Sequence, residues 1–380
     1  MPSPGDTFSC MTPLKGVRVA EFCQIAAGPF AGMLLADMGA DVIKVESPEG
    51  DGMRNWPPHN AGYSENFASL NRNKRSVVFD LKNPQEKAHA KKLCLASDVV
   101  LENFRPGVMK RLGLGYEELA REKPGLVYCS ISAFGQEGPR AQEGGFDVTL
   151  QAIGGVMSVT GEPGGAPVKC GVPLTDFAAG LYAAFSISSY LFEGRGGRID
   201  VPMFGTTLAI AALQTSEYFG NGRDPQKLGS AHPRNAPYQA FRCQDGYFVM
   251  AAGNDDLFRR AAEGLGHPEW TKDERFASTA LRARNQSALK ELVEAATASK
   301  SAQECLEIMR RQGVPCAPIN TYSQALADPQ VAHYGWVQPL DLPGGGRTRT
   351  FSSPIPGGEI FRKPPMLGEH TAEVLKELGV

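Results

Sequence analysis

Alternating apolar and polar segments dominate the first third of the chain. Five short apolar runs have the length of buried strands: 17–22, 41–46, 76–81, 98–104 and 126–134. Residues 30–39 and 84–97 instead carry apolar side chains at helical spacing, and Pro84 stands at a favourable first helical position. Apolar strands that alternate with helices are typical of a parallel sheet with both faces covered, so the pattern predicts an α/β fold.

The middle of the chain is more continuously apolar. A long apolar helix is predicted to begin at Asp176 and to end before the Gly- and Arg-rich loop 194–198. A strand-like segment at 198–203 and a second apolar helix at roughly 205–219 follow. We assign these segments to the same domain as the first third.

A change of composition marks a domain boundary. Residues 220–237 are rich in Gly, Pro and charge, which is the composition of a linker. Two apolar runs then flank Asp245-Gly246, a strong hairpin signal, and helical patterns follow near 286–297 and 301–312. These features predict a small α+β domain.

The residues from 326 onward resemble a return segment more than a new domain. They contain a Gly/Pro-rich stretch up to Gly358 and a terminal helix near 371–378. We therefore expect a large α/β domain formed by 1–220 and completed by 326–380, and a small domain formed by 221–325.

Composition disfavours several functions. Lys+Arg of 39 against Asp+Glu of 41 gives a net charge of −2, without the basic field that nucleic-acid binding needs. The eight cysteines form no Cys-x-x-Cys pair and have no His at metal-ligand spacing, which suits reduced thiols and disfavours structural zinc. Segment 1–16 lacks the features of a signal peptide, and no apolar run is long enough to span a membrane. We expect a soluble, cytoplasmic protein without a nucleic-acid, membrane or metal partner.

Two common enzyme chemistries find little support. The strand–helix–strand start and Glu46 at the end of the second strand suggest dinucleotide binding, but Gly28 is the only glycine between Val17 and Phe30. The three-glycine phosphate fingerprint is therefore missing. No Gly-x-Ser-x-Gly elbow occurs and the six histidines are scattered, which argues against a serine hydrolase.

Short motifs occur in a fixed order along nearly the whole chain. They are Leu14–Val19, Ala27–Pro29, Leu35–Glu46, Asn73–Ser76, Glu102–Gly107, Gly145–Asp147, Thr175-Asp176 with Gly180, loop 194–198 and Leu367–Thr371. Each is weak alone, but in this order they make the chain resemble the class III CoA-transferase family. That family includes formyl-CoA transferases, carnitine CoA-transferases and 2-methylacyl-CoA racemases. The resemblance implies a Rossmann-like large domain, a small domain, an interlocked homodimer, CoA thioesters as substrates and no permanently bound cofactor.

Asp176 stands where the family has its catalytic carboxylate. An ionised carboxylate can attack a thioester to give a mixed anhydride, and the released CoA thiolate can then form an aspartyl-CoA thioester. A purely structural role is also open, because Asp commonly caps the helix that follows it. The two roles are compatible, since a helix N-terminus favours an ionised carboxylate.

The remaining site residues follow from the resemblance. Those that match the family's CoA contacts are Ile25, Ala26, Phe79, Lys82, Asn103, Phe104 and Arg111, with Asp147 near the reacting centre. Arg72, Lys74 and Arg75 are either further cationic contacts or a solvated charge run before a strand. The formyl-CoA transferases have an Arg where this chain has Ser47-Pro48, so the adenine is expected to be held differently.

The small-domain loop also departs from the family. Residues 229–238 replace the poly-glycine loop of the formyl-CoA transferases, so this loop cannot close by glycine hinging. His232 and Arg234 are candidates for binding a second carboxylate on the acceptor, since a guanidinium binds carboxylates bidentately; an ordinary linker is the alternative. Residues 237–241 resemble the branch that acts on succinyl-CoA and short dicarboxylates. We expect transfer of CoA from succinyl-CoA to a short dicarboxylic acid.

Two rival functions remain open. A 2-methylacyl-CoA racemase needs two acid/base residues, and family racemases have a His directly before the Asp of the Gly-x-Asp motif. This chain has Phe146 there, which cannot transfer a proton. The other rival is a CoA-binding protein without catalytic activity, for which Asp176 would be dispensable.

Overall fold

The computed structural model describes residues 12–355 and 358–380. The absence of a signal peptide is expected from segment 1–16. Residues 1–11 of that segment lie outside the described range. The chain divides into two compact units: Met1–Val156 with Lys169–Arg223 and Pro329–Val380, and Met157–Val168 with Asp224–Asp328. The boundaries predicted from the sequence place 157–168 in the large domain, whereas the structure groups it with the second unit. Among the described residues, no helix has the length and apolar character needed to cross a membrane.

The first unit is built on a parallel sheet of six strands. The strands are β1 (Arg18–Phe22), β2 (Asp41–Glu46), β3 (Arg75–Val78), β4 (Val99–Glu102), β5 (Val127–Ser132) and β6 (Gly197–Pro202). Their order is β3-β2-β1-β4-β5-β6, and every neighbouring pair is parallel. This confirms the predicted parallel α/β sheet. In sheets with this order, ligands bind at the carboxyl ends of β1 and β4, where the order reverses.

Helices cover the sheet of the first unit. They are α1 (Ala27–Asp37), α2 (Glu65–Asn71), α3 (Pro84–Leu95), α4 (Val108–Arg111), α5 (Tyr116–Glu122), α6 (Asp147–Ile153), α8 (Leu174–Glu193), α9 (Met203–Ile210) and α10 (Ala212–Asn221). The short helix α7 (Val156–Val159) starts at the last residue of this part of the first unit, and its other residues belong to the second unit. The single helix predicted over 205–219 is thus two helices.

Gly180 lets α8 approach α1 closely, since a Cβ there would lie 2.8 Å from the Ala27 carbonyl oxygen and from the Phe30 ring.

The cationic run before β3 is buried. Lys74 pairs with Glu21 at 2.8 Å, Arg72 with Asp37 at 2.6 Å, and Arg75 with Glu377 at 2.6 Å. The three cationic residues are at most 3% exposed. The interpretation of this run as a solvated surface segment is therefore wrong, and its charges are directed at buried or partly buried carboxylates.

The C-terminal segment returns to the first unit. Its elements are α16 (Pro329–Tyr334), β10 (Val337–Asp341), β11 (Arg347–Phe351) and α17 (Thr371–Glu377). The backbone N–H of His370 donates to the Ser76 carbonyl at 2.9 Å, and the Thr371 hydroxyl accepts from the Val78 N–H at 3.0 Å. These bonds attach the last helix to the edge strand β3.

The second unit contains a three-stranded antiparallel sheet. Its strands are β7 (Tyr238–Cys243), β8 (Gly246–Ala251) and β9 (Cys316–Pro318), with β8 in the centre. Its helices are α11 (Asp255–Leu265), α12 (Thr279–Arg284), α13 (Gln286–Thr297), α14 (Ala302–Arg311) and α15 (Tyr322–Leu326). The antiparallel pairing of β7 with β8 confirms the hairpin that Asp245-Gly246 predicts.

Candidate active site

Asp176 lies in the first turn of α8 and does not cap it. The helix begins at Leu174, and its N-cap position is occupied by Pro173, whose side chain accepts no hydrogen bond. The prediction that the helix begins at Asp176, with this residue as its cap, is wrong. Asp147 supplies the missing acceptor from another helix: its carboxylate accepts from the Thr175 N–H at 2.9 Å and from the Thr175 hydroxyl at 2.8 Å.

The environment of Asp176 favours a neutral carboxyl group. Burial, and then the negative charge of Asp147, raise the pKa of Asp176 to about 7. Within the described part of the chain, no group donates a hydrogen bond to its carboxylate. At neutral pH the residue is therefore a mixture of acid and carboxylate, and the carboxylate oxygens are not shielded by hydrogen-bond donors from that part of the chain.

Asp176 lies where two cavities of the first unit meet. The first cavity has a volume of about 270 Å³ and the second about 480 Å³. Four residues line both of them: Ile25, Ala26, Phe146 and Asp176. Asn103 and Phe104 line the first cavity, and Asp147 lines the second. The structure thus brings together six of the residues predicted for the site, namely Ile25, Ala26, Asn103, Phe104, Asp147 and Asp176.

Asn103 uses its amide group to hold the turn that follows β1. Its Oδ1 accepts from the Gln24 N–H and its Nδ2 donates to the Gln24 carbonyl, both at 2.9 Å. This reciprocal pair fixes Gln24 at the edge of the first cavity. Asn103 therefore shapes the first cavity by fixing the backbone of Gln24.

A third cavity, of about 300 Å³, adjoins the first. Gln24 and Phe104 line both. Phe79 and Lys82 line the third cavity together with Ser47 and Pro48, the two residues at which this chain departs from the formyl-CoA transferases. The shared lining residues link the three cavities in a series, with the first cavity in the middle.

Arg111 lies apart from these cavities. It ends the short helix α4 and is exposed, and it is not among the residues that line the three cavities. A Cβ built on Gly107 would lie 3.3 Å from its Nη1, so its guanidinium lies against the turn that begins α4. The contact between Arg111 and CoA therefore stays a prediction.

His232 and Arg234 belong to the second unit. The His232 Nδ1 accepts from the backbone N–H groups of Arg234 and Asn235, both at 3.1 Å, and its ring packs on Tyr238. Burial, and then the charge of Arg234, hold the pKa of His232 below its usual value. The imidazole is therefore neutral, with its Nδ1 committed to the loop.

Arg105 is a site residue that the sequence analysis missed. It lines the first cavity, and its guanidinium lies against Gly144, where a Cβ would come within 2.9 Å. No ion pair involving Arg105 is found among the described residues. The signal was available, since Arg105 is the one cation of the Glu102–Gly107 motif.

Comparisons with known proteins give a consistent result. The sequence profile of CoA-transferase family III matches residues 14–371. The chain is 39% identical over 382 residues to a succinate–glutarate CoA-transferase of Agrobacterium fabrum, with 96% of both proteins covered. It is 35% identical over 390 residues to the succinyl-CoA:glutarate CoA-transferase of Homo sapiens, covering 99% of this chain and 88% of that protein. The crystal structure of a CAIB/BAIF family protein from Brucella suis matches with a TM-score of 0.85 at 39% identity, covering 96% and 99% of the two chains.

Proposed function

This chain belongs to CoA-transferase family III, and we propose that it transfers CoA from succinyl-CoA to a short dicarboxylic acid through covalent catalysis by Asp176. One observation carries the proposal. A half-buried carboxylate, to which no described residue donates a hydrogen bond, lies at the junction of two cavities, where a thioester and a free acid can reach it in turn. The relatives that act on succinyl-CoA and glutarate support the choice of substrates.

The first half-reaction consumes the donor. A carboxylate oxygen of Asp176 attacks the thioester carbonyl, the C–S bond breaks, and CoA leaves as its thiolate. The thiolate then attacks the aspartyl carbonyl of the mixed anhydride and expels succinate. The product is an aspartyl-CoA thioester that keeps the energy of the original bond.

The second half-reaction reverses these steps with the acceptor. Its carboxylate attacks the aspartyl thioester and releases the CoA thiolate, and a new anhydride forms. The thiolate attacks the acceptor's acyl carbon, and Asp176 leaves as a carboxylate. Every bond broken is matched by one formed, and no net hydrolysis occurs.

We assign the three cavities to parts of the substrates. The first cavity would hold the end of the pantetheine arm, because Asn103 and Phe104 border it beside Asp176. The third cavity would hold the nucleotide, with the exposed Lys82 available for phosphate and the buried Phe79 supporting the wall. The second would hold the acyl group, since Met53, Trp56 and Leu70 make its wall largely apolar.

The second cavity has no cationic side chain, among the described residues that line it, for the distal carboxylate of the acceptor. Among the described residues that line this cavity, the charged ones are Asp147 and Asp176, both acidic. We propose that Arg234, with the neutral His232 as a donor through Nε2–H, binds that carboxylate. A guanidinium suits this role because it donates two parallel hydrogen bonds.

We also propose that two copies of the chain form an interlocked homodimer. Large apolar side chains are exposed along α8 and α10, including Phe185 (72%), Phe192 (95%) and Phe219 (82%). Exposed large apolar side chains that cluster on two helices are typical of a surface that another protein chain covers. Sedimentation analysis should give twice the chain mass of 40.8 kDa, and a monomer at micromolar concentration would contradict the proposal.

The proposed function is tested by acyl exchange. With succinyl-CoA as donor and a panel of mono- and dicarboxylic acids as acceptors, we expect new CoA esters with the highest kcat/KM for a short dicarboxylate. Loss of the thioester without a new CoA ester would indicate hydrolysis. Racemisation of a 2-methylacyl-CoA without transfer would favour the rival function.

A further inference from the structure

The turn Cys23–Ala26, which joins β1 to α1, has an unusual backbone conformation. Ile25 has a φ of 68°, in the left-handed region that a β-branched residue adopts only when its surroundings enforce it. Ile25 and Ala26 line both cavities that meet at Asp176. The strained residue is thus part of the wall that faces the reacting carboxylate.

Asp51 holds this turn from the protein interior. Both of its carboxylate oxygens accept from the Ile25 N–H at 3.2 Å, and one also accepts from the Met53 N–H at 2.9 Å. Lys44 pairs with Asp51 at 2.9 Å and donates to the Cys23 carbonyl at 2.7 Å. The pair therefore binds the backbone on both sides of Gln24.

Both members of this pair are charged, although their side chains are fully buried. Burial alone would lower the pKa of Lys44, but Asp51 and Glu21 raise it above its usual value. Burial would raise the pKa of Asp51, but Lys44 and the backbone donors hold it below its usual value. Buried ion pairs contribute little net stability compared with apolar residues of the same volume, so stability alone does not account for this one.

We propose that Asp51 is a positioning residue, which keeps Ile25 in the left-handed conformation and so sets the turn Cys23–Ala26 against Asp176. The inference rests on the proposed function of Asp176. Asp51 is not among the residues that line the two cavities, so it acts through the turn and makes no contact with the substrate.

A double-mutant cycle between positions 51 and 25 tests this. Asp51→Ala removes the anchor, whereas Ile25→Gly makes the left-handed conformation accessible without strain. We expect Asp51→Ala to lower kcat on the order of 100-fold when residue 25 is Ile, with a smaller change in the KM of the CoA ester. The loss should be far smaller when residue 25 is Gly. An equal loss in both backgrounds would overturn the proposal, because a merely structural role does not depend on residue 25.

Asp37→Ala is the matched control. It removes another buried carboxylate of the same unit, one that pairs with Arg72 and Asn73. We expect it to lower stability and to leave kcat nearly unchanged with either residue at position 25. If it reproduced the background-dependent loss seen at Asp51, the assignment would be overturned. Should Asp51→Ala not fold, Asp51→Leu replaces it in the same cycle, because Leu also lacks an acceptor for the Ile25 N–H and leaves a smaller void.

Crystal structures separate this inference from the proposed function. In the Asp51→Ala variant we expect Ile25 to leave the left-handed region, and in the double variant we expect the glycine at position 25 to keep it. If Ile25 keeps its φ without Asp51, the positioning role is wrong whatever the activity. If the wild type transfers no CoA while Ile25 moves as expected, the proposed function fails and the anchoring of the turn stands.

Discussion

The chemistry proposed for Asp176 depends on the position of its carboxylate more than on its partners. Its pKa of about 7 results from burial and from the neighbouring charge of Asp147. The motif Thr175-Asp176 allowed the residue to be picked out from the sequence. The family resemblance also placed Asp147 near the reacting centre. The burial of Asp176 and the bonds from Thr175 to Asp147 were not predictable, because they depend on segments that meet only in the folded chain. Asn103 shows the same limit, since its bonds to Gln24 depend on the pairing of β1 with β4.

The raised pKa of Asp176 predicts a pH-dependent stability difference. An aspartate in an unfolded chain has a pKa of about 3.9, so above this value the folded protein binds the extra proton. The contribution of Asp176 to stability is therefore greatest at low pH and falls as the pH rises through about 7. Asp176→Asn removes this dependence.

We expect the Tm of Asp176→Asn, relative to the wild type, to increase between about pH 5 and about pH 8. Differential scanning calorimetry at both pH values measures this difference. A constant or decreasing difference would show that the carboxyl group is not held at a raised pKa.

Asp147→Asn tests the electrostatic coupling between the two carboxylates. Asn can still accept from Thr175, so the cap of α8 is kept while the charge is lost. The acid limb of the pH–kcat profile should shift to lower pH by about one unit, and burial should keep it above the range of an exposed Asp. Glu193→Gln, at the other end of α8, is the control and should leave the limb in place. An unshifted limb in Asp147→Asn would mean that the limb does not report Asp176.

Among the elements, apolar patterning located strands well and helix ends poorly. β2 spans Asp41–Glu46 as predicted, because its side chains are buried on both faces. The start of α8 was missed because its cap, Asp147, lies on another helix. The run Arg72–Arg75 was misread for a similar reason, since the acidic partners lie on α1 and on strands β1 and β2.

Gly180→Ala tests the packing of α8 against α1. The added methyl group would meet the Ala27 carbonyl and the Phe30 ring, so we expect a loss of about 1–3 kcal/mol in the free energy of unfolding. Gly220→Ala on α10 is the control: it has open space at its Cβ and should be neutral or stabilising by up to about 1 kcal/mol. Denaturant titration measures both. Equal effects would show that the close approach of the two helices is not what requires glycine.

At the scale of the whole molecule, the family match confirms the resemblance that the ordered motifs indicated. The order of the motifs along the chain identified the family, whereas the apolar periodicity predicted only single strands and helices. The placement of 157–168 in the second unit was not predictable from composition. It depends on contacts such as the bond from the Gly229 N–H to the Gly161 carbonyl at 2.9 Å and the bond from Lys227 to the Gly165 carbonyl at 2.9 Å.

Arg234→Ala tests how the second unit contributes to acceptor choice. We expect the KM for a dicarboxylate to rise about tenfold or more, because a charged hydrogen-bond partner is lost, while a monocarboxylate of equal length is unaffected. Arg242→Ala, an exposed residue of β7, is the control and should change neither KM. An equal effect of Arg234→Ala on both acids would remove Arg234 from acceptor recognition.

Trapping the covalent intermediate tests the central claim most directly. Wild-type protein incubated with succinyl-CoA and then with hydroxylamine should carry a hydroxamate on the peptide that contains Asp176, detected by mass spectrometry. The Asp176→Asn variant should show no such change and should lose most of its transfer activity, while remaining folded. A hydroxamate on another carboxylate such as Asp147, or near-normal transfer by Asp176→Asn, would contradict the assignment of Asp176 as the nucleophile.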